Sequence, residues 1–257
     1  MAVGPGSRSL VLTGANRGIG LELVRQLLAA AEPPQWIFAC SREPGGERAK
    51  ELRKLASNHP NVVIVKLDAT NPVTIKEAAA CVEGHLQGAG LNVLINNAGI
   101  FRDKELETLG PEDMLDAYKT NVIGPLLVSQ AFLPLLKKAA KESSQDGLSC
   151  RKAAIINISS VLGSIESVPL NYTKPAVPYR CSKAALNMLT KCLSLSYAGD
   201  GVLCTAVHPG WVKTDMGTQE ADLSVDESVR GIIGVLSKLG DKHNGVLVNW
   251  KGNNVPW

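Results

Sequence analysis

Tyr179 and Lys183 stand four residues apart in Tyr179-Arg180-Cys181-Ser182-Lys183, a spacing that puts both side chains on one face of a helix. An ammonium beside a phenol favours the ionised phenol, which would make Tyr179 a usable proton donor and acceptor. The same spacing also describes a plain surface pair, so chemistry requires that other groups converge on it. Ser159-Ser160 follow an apolar run at 153–158; one hydroxyl would point into a cleft there, although paired serines also serve as turn residues. Asn121 interrupts a helical pattern at 111–141, in Asn121-Val122-Ile123-Gly124-Pro125. Its amide offers the backbone an alternative partner and bends the helix. His208 precedes Pro209 at another strand end; a lone histidine without a partner motif packs or caps there more often than it catalyses.

A second constellation suits a dinucleotide. The apolar run 9–13 leads into Gly14-Ala15-Asn16-Arg17-Gly18-Ile19-Gly20 and then into a helical pattern through Leu21, Val24, Leu27 and Leu28. Strand, glycine turn and helix in that order let backbone amides approach a pyrophosphate at a helix N-terminus, although glycines also serve simply to turn a chain. The next strand, 36–40, ends in Ser41-Arg42, where a site selective for the unphosphorylated ribose would carry a carboxylate. Arg17 and Arg42 together suit a 2′-phosphate, which points to NADP(H). The alternative leaves Arg42 in solvent and makes Glu43 the ribose ligand. Asn96-Asn97-Ala98-Gly99 close the strand at 91–95, putting amides and small residues where ligands bind in parallel sheets.

The elements that must position these groups alternate regularly. A polar amphipathic helix at 47–56, a strand at 61–67, a helix at 73–86, the kinked helix, and strands at 153–158 and 202–207 follow one another. A helix at 225–239 and a strand at 245–249 close the chain, with no composition break or repeat. This pattern predicts a single α/β domain, 1–257, with a Rossmann-type doubly wound parallel sheet of about seven strands. The Ser/Gly-rich stretch 142–151 reads as a surface loop, and 219–224 as a mobile lid.

The formal charge of +3 and the interspersed acids and bases give no nucleic-acid groove and no polybasic anchor. The expected partner is a small molecule. Six scattered cysteines lack any C-x-x-C pair or zinc-ligand spacing, so they read as reduced thiols in a cytoplasmic protein without a metal site. Residues 1–9 hold a single arginine and no long apolar segment, and no later run is expected to span a bilayer.

Thr13-Gly14-x-x-x-Gly18-Ile19-Gly20, Asn96-Asn97-Ala98-Gly99, Ser160 and Tyr179-x-x-x-Lys183 together resemble the short-chain dehydrogenase/reductase family, over the chain from about residue 7 to its end. The segments 155–165, Pro209-Gly210-Trp211-Val212-Lys213-Thr214-Asp215-Met216 and 244–249 resemble its sniffer and C-factor group of carbonyl reductases. The resemblance implies that Asp68 and Ala69 face the adenine, Asp68 being equally suited to cap the helix started by Pro72. It also implies that Pro209, Gly210, Val212 and Thr214 hold the nicotinamide carboxamide and diphosphate, and that the kink at Asn121 exposes a carbonyl holding a relay water. Asn171-Tyr172-Thr173-Lys174-Pro175 departs from the pattern, in a long connection read as part of the substrate wall.

The activity implied is NADPH-dependent reduction of an aldehyde, ketone or quinone. Ser160 would meet the developing alkoxide, Tyr179 would protonate it, and Lys183 would hold the ribose and lower the phenol pKa. A cofactor-binding sensor without turnover, and an alcohol oxidation through the same residues, are the alternatives. The family also implies a homodimer built on the helices of Asn121 and Tyr179.

Overall fold

The computed structural model describes residues 6–170 and 175–257. Residues 171–174, the core of the departure in the substrate wall, and the first five residues of the N-terminal segment lie outside them. Short apolar runs form the strands β1 (Ser9–Thr13), β2 (Trp36–Ser41), β3 (Val62–Lys66), β4 (Val93–Asn96), β5 (Ala154–Ile158), β6 (Leu203–His208) and β7 (Leu247–Asn249). All seven are parallel, and a two-residue strand β8 (Asn254–Val255) adds an antiparallel edge, in the order β3-β2-β1-β4-β5-β6-β7-β8. The expected sheet is therefore present with one short strand more. β1, β4, β5 and β6 are buried along almost their whole length, as strands covered on both faces must be.

The helices are α1 (Gly18–Leu28), α2 (Lys50–Asn58), α3 (Pro72–Leu86), α4 (Pro111–Tyr118), α5 (Gly124–Glu142), α6 (Val177–Tyr197) and α7 (Val225–Leu236). Strand side chains alternate between two cores. Leu10, Leu12, Ile95, Ile156 and Val207 pack with Leu23, Val24 and Leu27 of α1 and Ile232 and Ile233 of α7. Val11, Phe38, Leu94 and Ile155 pack with Val82 of α3, Val128, Phe132 and Leu136 of α5, and Leu193 of α6. Strand order reverses between β1 and β4, and the carboxyl edge at such a switch point is where ligands of open parallel sheets bind.

Two expectations change. By length and composition alone, the 32 residues from Pro111 to Glu142 would suffice to cross a membrane, with a mean hydropathy of 1.3 in their most apolar stretch. Here Val128, Phe132 and Leu136 of that stretch lie against the sheet. The second half of the 219–224 segment is fastened, while Gln219 and Glu220 are exposed: Leu223 exchanges backbone bonds with Trp211 and Lys213 at 3.0 and 2.9 Å, Ala221 is buried, and Ser224 caps α7. The six cysteines are free, with Cys40, Cys150 and Cys204 buried; burial pushes those three thiols up to about 12.

Candidate active site

The glycine loop turns where β1 ends. Gly14 has φ +66°, a conformation L-residues rarely take. A Cβ on Gly20 would lie 2.2 Å from the Gly14 carbonyl oxygen. α1 begins at Gly18 with no side chain capping its first amides, so a helix N-terminus and a backbone cradle face the switch point, a combination that fits a dinucleotide pyrophosphate. Asn16 is partly buried in the loop, and Ile19 packs on the core beneath.

Asn97 has a further task. Its Nδ2 donates to the carbonyls of Thr13 and Gly14 at 3.0 and 3.2 Å, so its amide fastens the loop itself. Thr13 Oγ1 accepts from the amides of Asn97 and Ala98, both at 3.0 Å, joining the ends of β1 and β4. Ser41 is buried at the end of β2, while Arg42 is exposed with no ion pair among the described residues. Arg17 is held by Asp215, Nη1 to Oδ2 at 2.6 Å. Asp68 does not cap α3: Asn71 does, accepting from the Val73 amide at 3.0 Å. Asp68 Oδ1 instead accepts from the amide and hydroxyl of Thr70, both at 2.8 Å, an Asx turn. Ala69 beside it is buried where a Cβ on Gly124 would meet it at 3.1 Å.

The kink at Asn121 is a π-helical turn, Lys119–Ile123, between α4 and α5, a device that widens the hydrogen-bond ladder locally. The Asn121 side chain is fully buried and fully bonded. Its Oδ1 accepts from the Ile100 amide, and its Nδ2 donates to the Ile100 carbonyl, both at 2.9 Å. Nδ2 also donates to Ser182 Oγ at 3.0 Å, and Ser182 Oγ donates to the Tyr179 carbonyl at 2.8 Å. The kinked helix thus grips both the segment that follows β4 and the start of α6. A Cβ on Gly99 would lie 3.2 Å from Asn121 Oδ1 and 3.9 Å from Lys183 Nζ, which brings Gly99, Asn121 and Lys183 together.

Ser160, Tyr179 and Lys183 meet at the carboxyl edge of β5. Ser160 Oγ accepts from the Leu162 amide at 3.1 Å, as a turn residue does, and its hydroxyl lies near enough to act on the Tyr179 phenol. Lys183 Nζ lies 5.5 Å from the centre of the Tyr179 ring and donates to the Ile158 carbonyl at 2.7 Å. Burial pushes the Tyr179 phenol up to about 12, with the nearby Ser160 hydroxyl opposing. Burial also pulls the Lys183 ammonium down to about 8. The phenol is therefore not lowered as the spacing alone suggests, because loss of hydration outweighs a cation at this distance.

Beyond β6, Ser228 Oγ donates to the Pro209 carbonyl at 2.6 Å and Gly210 turns at φ +87°. Val212 is buried and bridges to Leu223. Thr214 Oγ1 accepts from the Gly217 amide at 3.1 Å, and its methyl would lie 3.3 Å from a Cβ on Gly18, so this loop stands over the glycine turn. His208 is half-buried with an unpartnered Nδ1, and burial pulls it down to about 4.

Three residues that motif reading passes over belong to this region. Phe101 packs on Tyr179, Asp215 holds Arg17, and Gly163 lets the turn after Ser160 touch α6: a Cβ there would lie 2.6 Å from the Lys183 carbonyl carbon. Gly163 stands in the quoted 155–165 segment, yet only the contact reveals why it is glycine.

The family model for short chain dehydrogenase matches residues 8–223. A carbonyl reductase from chicken fatty liver, solved with NADPH bound, is 56% identical at a TM-score of 0.94, with 98% of this chain and 99% of that one covered. The carbonyl reductase Sniffer of D. melanogaster is 43% identical at a TM-score of 0.93, covering 98% and 100%. An uncharacterized oxidoreductase of Schizosaccharomyces pombe is 32% identical over 96% of each chain.

Proposed function

The chain belongs to the short chain dehydrogenase family, and from that premise we propose that this oxidoreductase is an NADPH-dependent carbonyl reductase acting on an aldehyde, ketone or quinone. The observation that carries the reading is the meeting of Ser160, Tyr179 and Lys183, with the serine hydroxyl acting on the phenol and Lys183 Nζ 5.5 Å from the centre of its ring, beside an uncapped helix N-terminus and a glycine cradle. The cofactor, when bound, supplies the hydride. The likeness to the NADPH-bound chicken reductase and the cationic Arg17 and Arg42 support NADP(H) over NAD(H).

The chain's own groups then divide the remaining work. Gly14, Asn16, Gly18, Ile19 and Gly20 receive the diphosphate with Thr214, while Asp68 and Ala69 border the adenine. Ser160 Oγ and the Tyr179 phenol hold the substrate oxygen, and Tyr179 gives it a proton. Lys183, with one donor on Ile158, keeps two for the ribose side. The main-chain carbonyl freed by the π-helical turn at Asn121 anchors the water that returns the proton.

Six free cysteines suit a reducing compartment, and the cytoplasm is our assignment. A homodimer across the kinked helix that contains Asn121 and the helix α6 that contains Tyr179 fits the exposed Leu115, Met188 and Leu195. The test is loss of NADPH absorbance with a panel of aldehydes, ketones and quinones. Turnover by the wild type and its collapse in Tyr179→Phe support the reading, and a panel without turnover sinks it.

A further inference from the structure

Phe101 stands two residues beyond Gly99, and its ring packs edge to face on Tyr179, with centres 4.9 Å apart and planes at 63°. The chain is poor in such residues: aromatics make up 4% of it, and there are three phenylalanines. Phe38 and Phe132 are completely buried in the core. Phe101 alone of the three is only partly buried, and it packs against Tyr179.

Its position is held from both sides. Ile100 is clamped by Asn121 through two hydrogen bonds of 2.9 Å, and Arg102 donates to Asp116 at 3.1 Å. Both anchors come from the continuous stretch of α4 and the π-helical turn; the buried Asn121 amide fixes the backbone just before Phe101, and the exposed Arg102–Asp116 pair lies just after it. Such bracketing is what a binding wall needs, because a ring fixed before the ligand arrives loses little freedom on contact.

We propose that Phe101 is a specificity-determining residue, the wall beside Tyr179 that favours carbonyls with a flat aromatic substituent over saturated ones of the same size. The inference rests on the reductase reading above. A carbonyl oxygen within hydrogen-bond reach of Ser160 and Tyr179 carries its substituents alongside the phenol ring, where Phe101 sits. A flat ring there finds an aromatic partner in offset or edge-to-face geometry, whereas a saturated ring meets only apolar bulk.

The test compares benzaldehyde with cyclohexanecarbaldehyde in the wild type, Phe101→Leu and Phe101→Tyr, with NADPH. Leucine keeps the apolar bulk and tyrosine restores the ring. The expected result is an aromatic-to-saturated ratio of kcat/KM that falls about fivefold in Phe101→Leu, through KM, and returns in Phe101→Tyr. NADPH affinity and the pH profile of kcat stay unchanged. Equal losses for both aldehydes would reduce Phe101 to a support for Tyr179, and an unmoved ratio would remove it from the substrate site; either overturns the proposal. If the wild type binds NADPH but reduces neither these aldehydes nor any member of the wider panel of aldehydes, ketones and quinones, the reductase reading fails instead. Saturation-transfer NMR of the two aldehydes on the NADP⁺-loaded protein then decides the wall alone: a benzaldehyde preference lost in Phe101→Leu sustains it, and equal binding refutes it.

Discussion

Arg17 and Asp215, 198 residues apart in sequence, meet at 2.6 Å and tie the glycine loop to the loop that follows β6. Their side chains are 46% and 73% exposed, so the pair adds little to the stability of the fold. Its effect is local, between the glycine turn and the loop above it.

Asp215→Asn is expected to leave the unfolding temperature nearly unchanged and to speed NADPH dissociation about threefold, the size of an exposed ion pair. Stopped-flow nucleotide fluorescence measures the rate, and an unaltered rate would show that the pair does not restrain the cleft.

Tyr179→Phe removes one oxygen from a buried site and leaves the contact with Phe101 in place. We expect turnover to fall by at least about 100-fold, with NADPH binding preserved by titration. A variant with near-normal turnover would assign the proton to another group.

The pH profile of reduction follows from two shifted groups. With the phenol at about 12, Tyr179 stays protonated throughout the neutral range. The descending limb of kcat/KM is therefore expected near pH 8, where Lys183 loses its charge. Lys183→Arg, whose charge persists, should move that limb upward; a limb that stays at the same pH in the arginine variant would exclude Lys183 as its source.

His208 links stability to acid. Its value falls from 6.5 to about 4 on folding, so the unfolded chain binds the extra proton between those values. The associated stability is present above pH 6.5 and is lost as pH falls through 4. Between pH 7 and pH 5 this amounts to at most about 2 kcal/mol. Urea denaturation of His208→Leu should show a correspondingly smaller decrease over that interval, and an identical decrease would place the acid sensitivity elsewhere.

Gly163→Ala should destabilise the protein by about 2 kcal/mol, the scale of a forced overlap in a packed interior. The new Cβ would lie 2.6 Å from the Lys183 carbonyl carbon and 2.7 Å from the Ala184 nitrogen. The turn would have to lift Ser160 away from Tyr179, so kcat should fall alongside thermal stability. Full activity in the alanine variant would mean that the turn yields elsewhere.

Much of this was legible in the sequence because it is written locally. Apolar runs mark buried parallel strands, glycines mark the turn after β1, and Asn121 with Gly124 and Pro125 marks the break between α4 and α5. What escaped depends on distance or on competition between neighbours. β8 is two residues long, too short for a pattern. Asn71 and Asp68 are both able caps, and only the backbone decided that Asn71 serves α3. Phe101 has no motif of its own, because its meaning lies in a ring 78 positions later. The phenol of Tyr179 is raised rather than lowered because hydration, unlike spacing, depends on everything packed around the group.

The π-helical turn at Lys119–Ile123 also acts as a phase shift. One extra residue in a turn advances the helical register by roughly 100°, so the face that α4 turns to α6 is out of phase with the face that α5 turns to the sheet, although the chain between them never leaves a helix. Removing a single residue there would restore an unbroken rod with one half rotated. Either Phe132 and Leu136 would leave the core, or Asn121 would swing away from Ile100 and Ser182. A one-residue deletion, harmless in most surface loops, would at this point act on the whole molecule.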